Sequence, residues 1–269
     1  MKDRANTKYV KDADGSGAYG FEGAGELAGR VAVVTGGSRG IGAAVALRLA
    51  SLGADVVITY VRGEDAAHDV VRKIGATGRR GLAVRADSAD ADGAVAAVER
   101  AVAEFGRLDV LVNNAGVGRL GPIGGLTTDD VDEVLAVNVR GVFLASRAAA
   151  GVMGRGASIV TIGSCMAQRV PGAGGTLYAM SKAALSGLNR ALARELGERG
   201  ITANLVLPGP VDTGMNPADG PMAAGQAAMT ALGRFGAPDE VASVVGFLAG
   251  PGGSYMTGAE VAVDGGHAA

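Results

Sequence analysis

The chain has 269 residues, of which 48% are hydrophobic, 19% charged and 4% aromatic, which predicts a soluble globular protein large enough for one α/β domain. A net charge of −2 and the absence of Trp argue against a nucleic-acid surface and against binding to an anionic membrane. No apolar run reaches the roughly 20 residues that span a bilayer.

The first 26 residues are polar and rich in glycine, and they lack the apolar core of a secretory signal. We expect residues 1–26 to form a mobile extension and residues 27–269 to form a single folded domain.

Short β-branched runs alternate with helical patterns over the rest of the chain. Strands are predicted at Arg30–Thr35, Asp55–Tyr60, Gly81–Arg85, Leu108–Val112, Ser158–Ile162, Thr202–Val206 and Glu260–Val263. Helices are predicted at Ile41–Leu52, Glu64–Ile74, Asp90–Phe105, Thr128–Ala149, Tyr178–Glu198 and Pro238–Ala249. This alternation predicts a Rossmann-type, doubly wound parallel sheet of about seven strands with helices on both faces. A closed barrel would need about eight strand–helix pairs, so it fits less well.

A glycine-rich turn joins the first strand to the first helix. Its glycines, Gly36, Gly40 and Gly42, are not spaced as G-x-G-x-x-G, and three glycines in a loop could form only a tight turn. Glycines before a helix also let backbone N–H groups approach a pyrophosphate. The position between strand and helix favours this second interpretation.

One amide falls on the apolar side of a predicted helix. Asn138 lies in the stripe formed by Val131, Val134, Leu135 and Val142. A core-facing amide must be satisfied, so Asn138 either ties down backbone or holds an ordered water.

Several motifs follow one another in a characteristic order: TGGSRGIG at Thr35–Gly42, NNAG at Asn113–Gly116, Ser164, and YAMSK at Tyr178–Lys182. With these motifs, residues 27–266 resemble the short-chain dehydrogenase/reductase family. Within that family the chain looks most like the 3-oxoacyl-carrier-protein reductases and the ketoreductases of secondary metabolism.

Tyr178 and Lys182 are four residues apart, so they share one helix face. Reduction of a ketone by hydride leaves an alkoxide that needs a proton, and a phenol whose pKa is lowered by an ammonium group can supply it. The resemblance implies that Tyr178 donates the proton and that Lys182 also binds the nicotinamide ribose. It further implies that Ser164 orients the carbonyl and that Asn138 supports a proton-relay water.

The charge pattern near the second strand favours NADPH. Tyr60 stands where an NAD enzyme usually carries an acid, and Arg39 and Arg62 are cations available to a 2′-phosphate. By the resemblance, Asp87 contacts adenine, although it could instead cap the following helix. The remaining cofactor contacts implied by the resemblance are Gly36, Ser38, Gly40, Ile41, Gly42, Asn114, Ala115, Gly116, Pro208, Gly209, Val211 and Thr213.

Residues 208–235 resemble the substrate lid of the family. The lid is mostly uncharged and contains Met215, Met222 and Met229, which suits a 3-oxoacyl thioester, an acyl lactone or a polyketide-like ketone. A mobile surface loop is the simpler interpretation. Four arginines could meet an acidic carrier protein: Arg119, Arg140, Arg147 and Arg169.

The chain has two His residues and one Cys, so we expect no metal site and a cytoplasmic protein. Cys165 has no histidine near it in sequence to activate it as a nucleophile. Two alternatives to a ketoreductase stay open: an NAD(H)-dependent alcohol dehydrogenase and a non-catalytic nucleotide sensor. By the resemblance we expect a homotetramer formed through the helices at Thr128–Ala149 and Tyr178–Glu198.

Overall fold

The computed structural model describes residues 7–11, 17–21 and 25–269. Thr7–Lys11 (β1) and Gly17–Phe21 (β2) pair as an antiparallel ribbon. The mobility expected of residues 1–26 falls largely on residues outside those described, and it stays a prediction.

A parallel sheet of seven strands forms the centre of the domain. Its strands are Val31–Val34 (β3), Asp55–Tyr60 (β4), Gly81–Arg85 (β5), Val110–Asn113 (β6), Ser158–Ile162 (β7), Thr202–Pro208 (β8) and Glu260–Val263 (β9). They lie in the order β5-β4-β3-β6-β7-β8-β9, and every neighbouring pair is parallel. The order reverses between β3 and β6, where a doubly wound sheet opens its ligand crevice. The predicted fold and strand count are confirmed.

Eight α-helices accompany the sheet within the described part of the chain. They are Gly40–Ser51 (α1), Glu64–Ala76 (α2), Ala91–Phe105 (α3), Thr128–Leu135 (α4), Val142–Val152 (α5), Thr176–Leu196 (α6), Ala223–Ala228 (α7) and Pro238–Ala249 (α8). A π-helical turn, Ala136–Gly141, joins α4 to α5. The long predicted helix is therefore present, but its winding loosens around Asn138.

Two apolar layers hold the helices against the sheet. On one face Leu49 of α1 and Val245 of α8 pack in a cluster with Ile58 of β4. On the other face Ala145 of α5 packs in a cluster with Leu111 of β6. Burial on both faces explains why the strands are almost continuously apolar. It also leaves the carboxyl ends of the strands as the open edge of the domain.

The helical stretch Thr128–Val152 is, in the described residues, the one that is long and apolar enough to cross a membrane by length and composition. The sequence pattern had not predicted such a stretch. In its most apolar window 44% of the residues are buried inside the protein. Ala145 and Ala149 pack in the same cluster as Ile159 of β7, so this is a core helix of the sheet.

Candidate active site

The glycine turn between β3 and α1 is closely fitted to its surroundings. Gly36 and Gly40 have φ angles of +64° and +55°, which favour glycine. A Cβ on Gly42 would overlap the carbonyl oxygen of Gly36. The Gly36 N–H is bound by Thr59 Oγ1 at 2.9 Å. The turn is thus held in a shape that favours glycine at positions 36, 40 and 42.

Thr35 ties this turn to the segment Asn113–Gly116. Its Oγ1 accepts hydrogen bonds from the backbone N–H groups of Asn114 and Ala115, both at 3.0 Å. In return, Asn114 Nδ2 donates to the carbonyl oxygens of Thr35 at 2.9 Å and Gly36 at 3.1 Å. Sequence reasoning did not name Thr35 or Thr59 as site residues. The sequence signal that could have identified them is a threonine at the carboxyl end of each of two neighbouring strands, β3 and β4.

The start of α1 fits a bound phosphate. Within residues 25–269, no side chain caps this helix and its first turn holds no acidic residue. Its leading N–H groups and the positive end of its dipole therefore face no competing anion of their own. A Cβ on Gly40 would lie 3.4 Å from Thr213 Cγ2, so the lid begins directly beside the turn. The glycine turn, the start of α1 and the first residues of the lid thus lie together, and the uncapped N–H groups supply the polarity that a pyrophosphate needs.

Of the predicted 2′-phosphate residues, Tyr60 ends β4 and Arg62 follows it, while Arg39 lies directly before α1. Tyr60 is buried, whereas Arg39 and Arg62 are exposed and make no ion pair within residues 25–269. Two guanidinium groups are thus open to a ligand. Asp87 accepts a hydrogen bond from the Ala89 N–H at 2.9 Å.

The residue that caps α3 is Asp90, not Asp87. Asp90 accepts a hydrogen bond from the Gly93 N–H at 3.3 Å. The helix-cap interpretation of Asp87 is therefore wrong, because the helix begins three residues later than that role requires.

Ser164, Tyr178 and Lys182 come together at the carboxyl edge of the sheet. Ser164 follows β7, and its hydroxyl lies close enough to the Tyr178 side chain to lower the pKa of that phenol. Lys182 is 4% exposed, donates from Nζ to the carbonyl oxygen of Ile162 at 3.0 Å, and lies 5.8 Å from the centre of the Tyr178 ring. A Cβ on Gly116 would be 3.4 Å from the same Nζ. The loops after β6 and β7 thus meet α6 around one tyrosine and one amine.

Burial is the main cause of the pKa shifts of both Tyr178 and Lys182. Burial lowers the pKa of Lys182 to about 8. Burial also raises the pKa of Tyr178, and the nearby Ser164 hydroxyl opposes that rise. This direction is opposite to the one predicted for the phenol. The physical reason is that the half-buried phenol loses hydration, while the ammonium is directed to the Ile162 carbonyl.

Asn138 is fully buried in the π-helical turn. Its Nδ2 donates to the carbonyl of Val117 at 2.9 Å and to Ser181 Oγ at 3.0 Å. Its Oδ1 accepts from the Val117 N–H at 2.9 Å. Of the two predicted roles, the structure shows the first: the side chain ties the loop after β6 to α6. Because both amide protons are used, a relay water would have to bind another group of this residue.

The lid begins where β8 ends at Pro208. A Cβ on Gly209 would lie 2.6 Å from Asp264 Cα, so only glycine fits there. Val211 then bridges to Gly236, and α7 lies inside the lid. Exposed apolar side chains concentrate on this lid and on the two neighbouring loops at the same edge. They are Leu120, Ile123, Val170, Met215, Met222, Met229 and Leu232.

Three of the four arginines proposed to meet a carrier protein are engaged within the chain. Arg119 pairs with Asp130 at 3.3 Å and with Glu133 at 2.5 Å. Arg140 and Arg169 donate to backbone carbonyls, those of Ala89 at 2.5 Å and His267 at 2.6 Å. The structure gives these three side chains a role within the chain itself.

Cys165, beside Ser164, is 5% exposed. Burial raises its pKa to about 11, and the nearby Asp264 carboxylate adds to that effect. The thiol is therefore protonated near neutral pH, which opposes a nucleophilic role.

A cavity of about 430 Å³ opens near the lid. It is lined by Val211, Arg234, Glu240 and Asp264 among others, but not by Ser164, Tyr178 or Lys182. We therefore locate the candidate active site by its side-chain chemistry.

Comparisons with known proteins agree with this geometry. Residues 36–268 match the family described as "Enoyl-(Acyl carrier protein) reductase". The chain is 44% identical to the cyclic-di-GMP-binding biofilm dispersal mediator protein of Escherichia coli, over 90% of this chain and 98% of that protein. It is 38% identical to a 3-oxoacyl-[acyl-carrier-protein] reductase of Synechocystis, over 89% of this chain and 97% of that protein.

A solved short-chain dehydrogenase from Burkholderia cenocepacia, in complex with NADP, is 53% identical and superimposes with a TM-score of 0.90. The match covers 91% of this chain and all of that one. The two backbones therefore share one fold over about nine-tenths of this chain.

Proposed function

Because the chain belongs to the short-chain dehydrogenase/reductase family, we propose that it reduces a ketone to a secondary alcohol with NADPH. The observation that carries the proposal is the joining of Ser164, Tyr178 and Lys182 at the mouth of the crevice, next to the glycine turn. The family includes enzymes with many substrates, so the substrate has to be argued from this chain's own cleft.

The cofactor choice rests on the groups around the glycine turn. The free N-terminus of α1 would hold the pyrophosphate, and Arg39 and Arg62 would bind the 2′-phosphate that distinguishes NADPH from NADH. Tyr60 places no carboxylate there to repel it. When bound, NADPH supplies the hydride. The solved relative from Burkholderia cenocepacia holds NADP, which supports this choice.

The chain's own residues then handle the proton. Ser164 Oγ, which lies beside the Tyr178 side chain, would hydrogen bond the substrate oxygen and so orient the carbonyl. The Tyr178 hydroxyl would donate its proton to the oxygen as the alkoxide forms. A phenol with a raised pKa stays protonated at neutral pH, so it is ready to donate. Lys182 would favour the resulting phenolate and bind ribose hydroxyls.

The exposed apolar side chains around the mouth favour an uncharged, apolar ketone. Free ketones of the acyl-lactone or polyketide type satisfy this chemistry, as does a small 3-oxoacyl thioester. The internal contacts of Arg119 and Arg169 weigh against docking of an acidic carrier protein, because each guanidinium already has a partner.

The test is reduction of a ketone panel by the purified chain. The panel contains an aryl ketone, an acyl lactone, a polyketide-like ketone and an acetoacetyl thioester, and loss of the nicotinamide absorbance is followed. We expect turnover with NADPH on at least one apolar ketone. Tight NADPH binding without turnover on any member would contradict the proposal.

A second function is favoured by one observation, the similarity to the cyclic-di-GMP-binding protein of Escherichia coli. Exposed Arg39 and Arg62 would suit the phosphates of several nucleotides. Competition between NADPH and cyclic di-GMP, measured by the fluorescence of bound NADPH, separates a sensor from a reductase. An NAD(H)-dependent alcohol dehydrogenase would instead bind NADH at least as tightly as NADPH.

A homotetramer and a cytoplasmic location complete the proposal. The helices α5 and α6 expose Phe143 and Met180, which are 51% and 50% accessible and would be covered in an assembly. Sedimentation equilibrium of the purified chain measures the assembly directly. A monomer at micromolar concentration would contradict it.

A further inference from the structure

The last residues of the chain form a compact turn, residues 264–268, called here the C-terminal turn. Asp264 accepts hydrogen bonds from the N–H groups of Gly266 and Ala268, both at 2.9 Å. The N–H of His267 donates to the Asp264 carbonyl at 3.2 Å. His267 itself is 3% exposed. The turn is therefore a fixed, partly buried piece of structure.

The loop after β7 and both ends of the lid contact this turn. The carbonyl of His267 accepts a hydrogen bond from Arg169 Nη1 at 2.6 Å, across 98 positions of sequence. The Leu232 N–H, at the end of the lid, donates to the carbonyl of Gly265 at 3.0 Å. Gly209, at the start of the lid, lies against Asp264. The turn thus joins both ends of the lid to the loop that follows β7.

That loop carries Ser164, and local hydrogen bonds make it rigid. The Met166 N–H donates to Ser164 Oγ at 3.2 Å. The Arg169 N–H donates to the carbonyl of Cys165 at 3.0 Å. Because these hydrogen bonds hold residues 164–169 in one short turn, movement of Arg169 should also move Ser164.

We propose that Arg169 is a positioning residue, which holds Ser164 in place by binding the loop after β7 to the C-terminal turn. The kinetic consequence of this inference rests on the proposed function, whereas the contact itself does not. A guanidinium bound to a carbonyl is a charge-assisted hydrogen bond, which is roughly twice as strong as a neutral one. Among the described residues, the hydrogen bond from Arg169 Nη1 to the His267 carbonyl is the one that joins this loop to the C-terminal turn.

Cys165 provides a reporter that does not depend on activity. It is the single cysteine of the chain, it is adjacent to Ser164, and it is buried. In the native protein it should react slowly with a maleimide. We expect Arg169→Leu to speed labelling about tenfold, because opening of the loop exposes the thiol. Arg169→Lys retains a cationic donor and should restore slow labelling in part.

Arg199 offers a matched control. It is also an exposed arginine that donates to a distant backbone carbonyl, that of Met153 at 2.8 Å, but it lies at the opposite edge of the sheet. Arg199→Leu should leave the labelling of Cys165 unchanged. Thermal unfolding of both leucine variants shows whether they differ in global stability.

The kinetic arm uses a ketone that the wild type reduces. We expect Arg169→Leu to lower kcat/KM about tenfold or more, because small misplacement of a catalytic group is costly, while the Kd for NADPH stays within about twofold. Labelling of the Arg169→Leu thiol at the wild-type rate would overturn the inference. Equal acceleration in Arg199→Leu would overturn it as well. If no ketone is reduced by the wild type, the proposed function fails, and the labelling result still decides the inference.

Discussion

Gly42 and Asn114 lie so close together that a methyl group on Gly42 would overlap the side-chain amide of Asn114. That amide also donates to the carbonyls of Thr35 and Gly36. One glycine therefore decides whether the turn after β3 and the turn after β6 can pack against each other.

The first prediction concerns this packing. Gly42→Ala should cost about 2–4 kcal/mol of unfolding free energy, because overpacking and a broken polar contact occur together. It should also weaken NADPH binding. Gly75→Ala is the control, since Gly75 lies in α2 with no atom within 4 Å of an added Cβ. That control should be neutral or slightly stabilising. Urea unfolding measures both, and equal stability of the two variants would contradict the prediction.

Removal of the phenolic hydroxyl tests the proton donor. Tyr178→Phe should lower kcat by about 10³-fold, because a positioned acid contributes typically 10²–10⁴-fold. The Kd for NADPH should change little, since the ring and Lys182 remain. Steady-state reduction and cofactor fluorescence give the two values. Turnover near the wild-type rate would remove Tyr178 from the mechanism.

The third prediction separates the two nicotinamide cofactors. Arg39→Ala should weaken NADPH binding about tenfold and leave NADH binding unchanged, because a charged hydrogen bond to the 2′-phosphate is worth about 1.5 kcal/mol or more. Arg100→Ala serves as control, since Arg100 is an exposed arginine on α3. Equal losses for NADPH and NADH would argue against a 2′-phosphate contact.

Burial of Lys182 predicts a pH-dependent stability. Its pKa is about 8 in the folded chain and near 10.5 when unfolded. Between these values the unfolded chain binds more protons, so the free energy of unfolding should rise from pH 8 to pH 10.5. Below pH 8 the buried ammonium costs stability in full.

The variant Lys182→Met removes this titration. Without cofactor it should be more stable than the wild type at pH 7 by about 2 kcal/mol, because an apolar side chain replaces a buried charge. The difference should shrink as the pH approaches 10.5, and activity should be lost. Unfolding curves of both proteins from pH 7 to pH 10.5 give the difference directly. If the difference in unfolding free energy between the two proteins does not vary with pH, Lys182 is not the group responsible for the pH dependence.

The final prediction addresses the buried amide. Asn138→Ala leaves both backbone groups of Val117 without their partners, so it should destabilise by about 2–3 kcal/mol and lower kcat. Asn189→Ala is the matched control. It removes a buried amide that donates to the carbonyl of Ala259 at 3.0 Å, away from the candidate active site. It should destabilise while kcat is kept. A similar loss of kcat in both variants would show that stability alone is responsible.

Much of the fold follows from local pattern. The β-branched runs, the helical spacing of apolar residues and the glycines after β3 are short-range features, and short-range sterics and periodicity determine strands, helices and turns. The same holds for Tyr178 and Lys182, whose spacing alone places them on one face of α6. Asn138 was recognised as buried because it interrupts an apolar stripe.

Other features depend on residues that are distant in sequence. Nothing in the local pattern shows that Thr35 binds the N–H groups of Asn114 and Ala115, or that Arg169 reaches the carbonyl of His267. The direction of the Tyr178 pKa shift was missed for the same reason, since it depends on how much of the phenol the packed domain removes from water. Periodicity and turn chemistry act over a few residues, whereas hydration and long-range hydrogen bonds exist only once the chain has packed. The sequence by itself therefore determined the order of elements and the types of the site residues, and the tertiary structure decided their partners and their protonation.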